Sequence, residues 1–385
     1  MQRTFFDTDH EAYREVVREF LTREVEPHYE RWETDRLIDR SAWLAAGRSG
    51  IIGLAVPEAY GGSGVTDYRF RNVVSEEIAP TATTSFGGGI ATHDDVVIPY
   101  VLMLGTEEQK QRWLPGMAAG ELIGAIAMTE PGTGSDLQGI KTTAVRDGDD
   151  WIVNGQKTFI SNGIHSDLVI VVARTDPSAG SKGFSLLVVE RGMPGFSRGR
   201  KLHKVGLAGQ DTAELVFEDV RVPTNNLLGT EGSGFIHLME NLPLERMSIA
   251  VIAIAAAKAA YQWTRDYVFE RKAFGKPIGD LQNTRFALAE MLTEIEVTES
   301  HIDRCVLASN ADELTAVDAS KGKWWASELQ KRVVDRCVQL HGGYGYMMEY
   351  PIGRAYVDSR IQTIYGGTTE IMKEIIGREI AAASA

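Results

Sequence analysis

The hydrophobic period of this chain changes twice, and no single layer of secondary structure can satisfy both periods. From about residue 5 to residue 120, apolar side chains recur at helical spacing, as in Val16, Val17, Phe20, Leu21 and Val25. Between about 122 and 222, short β-rich runs take over at 152–155, 168–173, 184–190 and 213–222, separated by Asn-Gly, Asp-Gly and Pro-Gly pairs. From 233 the helical period returns in long stretches at about 234–271, 280–309, 312–341 and 368–382. The expectation is a multidomain α and β protein. A helical domain (1–121) precedes a β-barrel or β-sandwich domain (122–233), and a four-helix bundle follows (234–385). In the first domain Pro27 is expected to end a helix and Ser41 to cap the next. Thr106 is expected to cap a helix that opens with Glu107 and Glu108.

Charge narrows the function. With 53 acidic against 40 basic residues the net charge is −13, which argues against a nucleic-acid binder, since that needs a basic face. The cysteines, Cys305 and Cys337, lie singly inside helical patterns and make no disulfide framework. No Cys/His group has zinc spacing, so no metal is expected. The most apolar helical run, 249–257, is interrupted by Lys258 and is too short to span a bilayer. The acidic, amphipathic start has neither an apolar h-region nor an Arg-rich presequence. A soluble cytoplasmic chain is expected, or one already processed for the mitochondrial matrix.

The stretch Ala127-Met128-Thr129-Glu130-Pro131-Gly132-Thr133-Gly134-Ser135-Asp136 follows an apolar run and reads as a buried strand entering a glycine loop. Successive bare amides there make a concave anion-binding nest suited to a pyrophosphate or a polar cofactor ring. It is neither G-x-G-x-x-G opening a helix nor a P-loop. Alone, the segment also reads as a solvated hairpin loop.

Three further segments give the loop a context. Gln339-Leu340-His341-Gly342-Gly343-Tyr344-Gly345-Tyr346, with Glu349-Tyr350-Pro351, resembles the second signature of the acyl-CoA dehydrogenases. Arg271-Lys272-Ala273-Phe274-Gly275 resembles their R-x-x-F-G element, and Tyr365-Gly366-Gly367-Thr368 their C-terminal flavin-site turn. With Met128–Asp136 as the first signature, the resemblance runs essentially end to end and is nearest to the long-chain branch. It implies a homotetramer with one FAD per subunit, an acyl-CoA substrate, and electron-transfer flavoprotein as electron acceptor. By resemblance, Met128, Thr129, Gly134, Ser135, Phe159, Ile160 and Ser161 line the flavin. Arg271, Phe274, Gln282, Gln339, Gly342 and Gly343 meet the adenosine and pyrophosphate end, partly from a neighbouring subunit. Thr368 and Glu370 complete the cofactor contacts. Physically, Arg271 is a bidentate phosphate donor and the Gly342-Gly343 pair allows close backbone approach.

The reaction the resemblance implies needs a carboxylate to take the α-proton of the thioester while the β-hydride leaves for flavin N5. In much of the family that base is a Glu in the turn before Gly-Thr, where this chain has Gly366. Glu245, in Leu242-Pro243-Leu244-Glu245-Arg246, stands where the long-chain and isovaleryl branches keep their base. A small residue at 366 together with a Glu at 245 makes Glu245 the expected base. Ser135, Arg246, Gly366 and Gly367 are the expected substrate contacts. Pro243 is expected to kink or start the helix, and the basic stretch from Arg198 to Lys204 to be a solvated turn. Two other readings stay open on sequence: a flavin acyl-CoA oxidase, and a non-catalytic acyl-CoA-binding or scaffold flavoprotein.

Overall fold

The computed structural model describes residues 3–384. Met1, Gln2 and Ala385, the outer ends of the first and third expected domains, lie outside the described residues. The first helix, α1 (Thr8–Phe20), starts from an Asp7–His10 capping box and runs through a π turn, Leu21–Val25, into α2 (Glu26–Asp35). Pro27 therefore does not end the helical path. It sits in the first turn of α2, where its missing N–H has no intrahelical acceptor to lose. The next helix, α3 (Arg40–Arg48), is preceded by Asp39, and Ser41 lies inside its first turn and is not its N-cap. Three helical pieces follow: α4 (Arg69–Thr81), α5 (Thr84–Ala91), and, after a second π turn at Thr92–Val97, α6 (Ile98–Leu104). Thr106 caps α7 (Glu107–Ala118) in a capping box with Gln109.

The strands are β1 (Gly124–Ala127), β2 (Thr143–Asp147), β3 (Asp150–Ser161), β4 (Leu168–Arg174), β5 (Phe184–Glu190), β6 (Phe196–Lys201), β7 (Thr212–Pro223) and β8 (Leu227–Leu228). They form one mixed sheet in the order β6-β7-β3-β2-β4-β5-β8, with β1 parallel to β4. Strands β4 and β5 are buried along almost their whole length because both of their faces are covered. Val169, Val171, Leu187 and Val189 meet Trp151, Val153, Leu215 and Phe217 of β3 and β7, so the sheet closes on itself as a sandwich. Leu168, Ile170, Leu186 and Val188 pack outward on Val97, Tyr100, Trp113 and Met117 of the first helical layer. The basic segment expected as a turn is largely β6. Its half-buried Phe196, Arg198 and Lys201 are interspersed with exposed Ser197, Gly199 and Arg200, a pattern that its charges mask in the sequence.

The bundle is built on α8 (Gly234–Glu270), α9 (Gln282–Asn310), α10 (Ala316–His341) and α12 (Thr369–Ala383), with the shorter α11 (Pro351–Ser359) between the last two. Pro243 is interior to α8 and does not start it. A tight hairpin, β9 (Lys272–Ala273) and β10 (Lys276–Pro277), joins α8 to α9 through Phe274 and Gly275, both at positive φ. Small side chains at 253, 255, 257, 259 and 260 let the neighbouring helices approach α8 closely. No described helix is long and apolar enough to cross a membrane.

Candidate active site

Glu245 lies on α8 with only 7% of its surface exposed. Burial pushes its carboxyl above the ordinary value, against the opposing pull of the Tyr100 hydroxyl, Arg246 and Asn241. Tyr100 donates to Glu245 Oε1 at 2.9 Å, a bond that joins the first helical domain to the bundle. The neighbouring Arg246 is also buried and directs Nε to the Gly366 carbonyl at 3.4 Å. Lys323, on α10 and fully buried, donates from Nζ to the Gly367 carbonyl at 2.6 Å. Burial lowers its ammonium to about 8, and the nearby Arg246 pushes the same way. Two cations thus hold the carbonyls of one glycine turn. Gly366 (φ +63) and Gly367 (φ +96) adopt backbone that side chains disfavour, so the shape of this turn requires both glycines. Thr368 then caps α12, accepting from the Ile371 amide, and Glu370 is exposed in the first turn.

The glycine loop after β1 is fixed from beneath. Glu130 accepts from the amides of Lys141 (2.7 Å) and Thr142 (2.9 Å), and Lys157 Nζ reaches both Glu130 Oε1 and the Met128 carbonyl at 3.0 Å. Burial brings Lys157 down to about 8, although Glu130 pulls the other way. Burial would raise Glu130, but Lys157 and the two amides outweigh it and hold the carboxyl below its usual range. Neither Gly132 nor Gly134 is left-handed. The segment closes as a Glu130–Thr133 turn, and its glycines contribute bare surface to the loop. The Thr158 amide bonds the Thr129 carbonyl at 2.9 Å, which ties this loop to β3. Just beyond, the β3–β7 register slips and Phe159 bulges out at φ 61 with 68% of its surface exposed. Ile160 turns its side chain into the sheet core, so it can offer a ligand only its backbone. Ser161 is half-buried, Gly134 and Ser135 are exposed, and Met128 borders the apolar cluster that holds Tyr100.

A third group lies elsewhere. Arg271, Gln339, Gly342 and Gly343 line a cavity of about 520 Å³ with His341 and Tyr344, at the far end of α8. Phe274 and Gln282 are exposed nearby on the hairpin and at the start of α9. Arg271 follows Glu245 by 26 positions, about 39 Å along a helix rising 1.5 Å per residue. The structure brings Glu245, Arg246, Gly366 and Gly367 together, and the loop residues with Phe159. It keeps the Arg271–Gly343 group remote from Glu245 along α8 within one chain. A small apolar cavity of about 30 Å³ lies between α4, α5 and α8, lined by Val74, Ile78, Gly87, Ile90, Ile252 and Ala256, with Arg71 at its wall. Tyr100 and Lys323 escaped the sequence reading. A lysine in a run of small residues, Ala319, Ser320, Gly322, Ala326 and Ser327, was the available signal for Lys323, though Lys321 shares that run and is exposed; Tyr100 left none.

A sheet-centred sandwich between two helical layers, with a buried carboxylate on the helix whose next residue grips a glycine turn, defines the class of a small-molecule enzyme. Family models for the N-terminal, middle and C-terminal domains of acyl-CoA dehydrogenase match residues 7–121, 125–220 and 232–381. The chain belongs to the acyl-CoA dehydrogenase family. It is 51% identical over 380 residues to the mitochondrial long-chain specific acyl-CoA dehydrogenase of Sus scrofa, covering 98% of this chain and 88% of that protein. An acyl-CoA dehydrogenase structure from Geobacillus kaustophilus superposes with a TM-score of 0.96 at 50% identity, covering 98% of this chain and all of that one. A glutaryl-CoA dehydrogenase from Mycobacterium smegmatis, solved in complex with FADH2, gives 0.91 at 29% identity over 99% and 96% of the two chains. The protein is an FAD-dependent oxidoreductase that dehydrogenates acyl-CoA thioesters at adjacent carbons. Its residues fit the cofactor: a bare aromatic ring stands beside the loop, and a β-carbon on Gly134, Gly342 or Gly343 would meet nothing within 4 Å.

Proposed function

We propose that Glu245 is the base that removes the α-proton of a long-chain acyl-CoA. The observation that carries this reading is a buried carboxylate on α8 whose neighbours Arg246 and Ile249 pack on a turn that itself carries no carboxylate. Its raised affinity for protons suits a group that must accept one from carbon. The Gly366 and Gly367 amides, with their carbonyls gripped by Arg246 and Lys323, hold the thioester oxygen as it gains charge. Arg246 closes the cavity around the thioester, Ser135 touches the pantetheine end, and the acyl tail enters between α4, α5 and α8.

When bound, FAD supplies the acceptor for the β-hydride. Met128, Thr129, Gly134, Ser135, Phe159 and Ser161, with the backbone of Ile160, hold its flavin end, and Thr368 and Glu370 sit beside it. Arg271, Phe274, Gln282, Gln339, Gly342 and Gly343 of a neighbouring copy hold the adenosine end. A span of about 39 Å along α8 exceeds what one dinucleotide can bridge, which supports a homotetramer that builds each site from two chains. Electron-transfer flavoprotein is the expected acceptor, the domains divide near 122 and 234, and a cytoplasmic setting keeps Cys305 and Cys337 reduced. Glu245→Gln tests the base. The variant keeps its FAD absorbance but is not bleached by long-chain acyl-CoA, and rapid bleaching would place the base elsewhere.

A further inference from the structure

The base does not stand alone in its cavity. Tyr100, fully buried near the start of α6, donates a hydrogen bond to Glu245 Oε1 at 2.9 Å. Oε2 takes no hydrogen bond from any described residue, and it is not among the side-chain atoms sealed from solvent. Asn241 is one turn earlier on the same face of α8, 5% exposed, and its Nδ2 is a buried donor without a partner among the described residues. One hydrogen bond, to Oε1, therefore reaches the carboxylate from the first helical domain, while Asn241 on its own helix also favours the ionised form.

We propose that Tyr100 is a positioning residue for the dehydrogenation: it fixes Glu245 Oε1 so that Oε2 is the oxygen presented to the α-hydrogen, with Asn241 favouring the same ionised carboxylate from its own helix. The inference rests on the reading of Glu245 as base. Burial and the facing carboxylate hold the Tyr100 hydroxyl well above its ordinary value, so it stays a donor throughout the working range. Its bond favours the ionised base and opposes the desolvation that favours the protonated one. The other charges nearby are Arg246 on the same helix and, behind it, Lys323 of α10. Arg71 and Asp95, from α4 and the second π turn, close on each other at 2.7 Å, with Ser248 donating to Asp95.

The test uses the FAD-loaded protein and single-turnover flavin bleaching by a long-chain acyl-CoA as a function of pH. Tyr100→Phe is expected to move the acid limb up by about one pH unit, because the base loses its ionised-state donor. On the acid side of the limb the rate falls up to about tenfold, and above the limb it recovers, while KM stays within about threefold. Calorimetric binding of an enoyl-CoA, which cannot react further, shows the same displaced midpoint without turnover. A more acidic fluorotyrosine at position 100 moves the limb the other way. An unmoved acid limb in Tyr100→Phe with FAD bound overturns the proposal. If that variant loses FAD, the fluorotyrosine protein decides, a downward shift supporting the role and no shift overturning it. Glu245→Gln run alongside separates the two ideas: bleaching by that variant refutes the base, whereas a dead Glu245→Gln with an unmoved Tyr100→Phe limb refutes only Tyr100.

Discussion

Ile249 Cδ1 lies 2.4 Å from where a β-carbon on Gly366 would stand. Ile249 is one turn of α8 beyond Glu245, so the helix that carries the carboxylate also fills the space that a carboxylate at 366 would need. A side chain at 366 must push the tip of Ile249 aside. Glu245→Gly combined with Gly366→Glu is expected to bind FAD and bleach more than about 100-fold slower than the parent. Adding Ile249→Ala opens the space and recovers about tenfold of that loss, read by single-turnover bleaching. No recovery would show that the collision with Ile249 is not what forbids a base at 366.

Phe159 holds a left-handed backbone for the sake of its exposed ring. Phe159→Gly relieves about 1–2 kcal/mol of backbone strain and costs about 0.5–1 kcal/mol in chain entropy. The melting temperature of the apoprotein should therefore hardly move. FAD affinity should fall about tenfold or more with the lost stacking surface, as measured by flavin fluorescence quenching.

Lys323 places activity and stability on opposite sides of one titration. Its folded value, about 8, lies below the ordinary 10.5, so between these limits the unfolded chain binds the proton that the native chain has released. This group's contribution to stability is thus lowest below about 8 and grows as pH rises through the window. Meanwhile the Gly367 carbonyl loses its charged donor. Lys323→Met should lower kcat/KM about tenfold at pH 7, and the ratio of parent to variant should shrink towards pH 9. A ratio constant from pH 7 to 9 would remove Lys323 from the working turn.

Asp358, on α11, accepts from the Leu207 amide at 2.6 Å and from Thr84 Oγ1 at 2.5 Å, tying the middle domain and α5 to the bundle. Burial raises its carboxyl from 3.8 to about 6. The native state therefore holds the extra proton between those values, and the stabilisation is present below about 4 and lost as pH rises through 6. Asp358→Asn keeps an acceptor for Leu207 without a charge. It should gain on the parent by up to about 3 kcal/mol on moving from pH 4 to pH 7.5, measured by thermal melts at both pH values.

The two changes of hydrophobic period were visible because they are local in the chain, whereas the combination of Glu245 with the distant Gly366 was legible only through the resemblance to the family. Other features depend on neighbours far away in sequence. Tyr100 looks like any aromatic on an amphipathic helix until α8, 145 positions later, brings Glu245 to its hydroxyl. Lys157 reads as an exposed strand lysine, yet the loop it supports closes over it. Pro27 and Ser41 were misread for a nearer reason: a π turn and an Asp39 cap use the same residues that ordinary helix stops and starts would use.

The second π turn, Thr92–Val97, carries a residue more than a regular helical path would need, and each residue rotates a helix by about 100°. Tyr100 lies only three positions downstream, so the angular setting of α6 depends on that surplus. Deleting one residue there would make a more regular helix and swing the phenol away from α8. Chain length at this point acts as a catalytic parameter in its own right, one that no inventory of side chains would reveal.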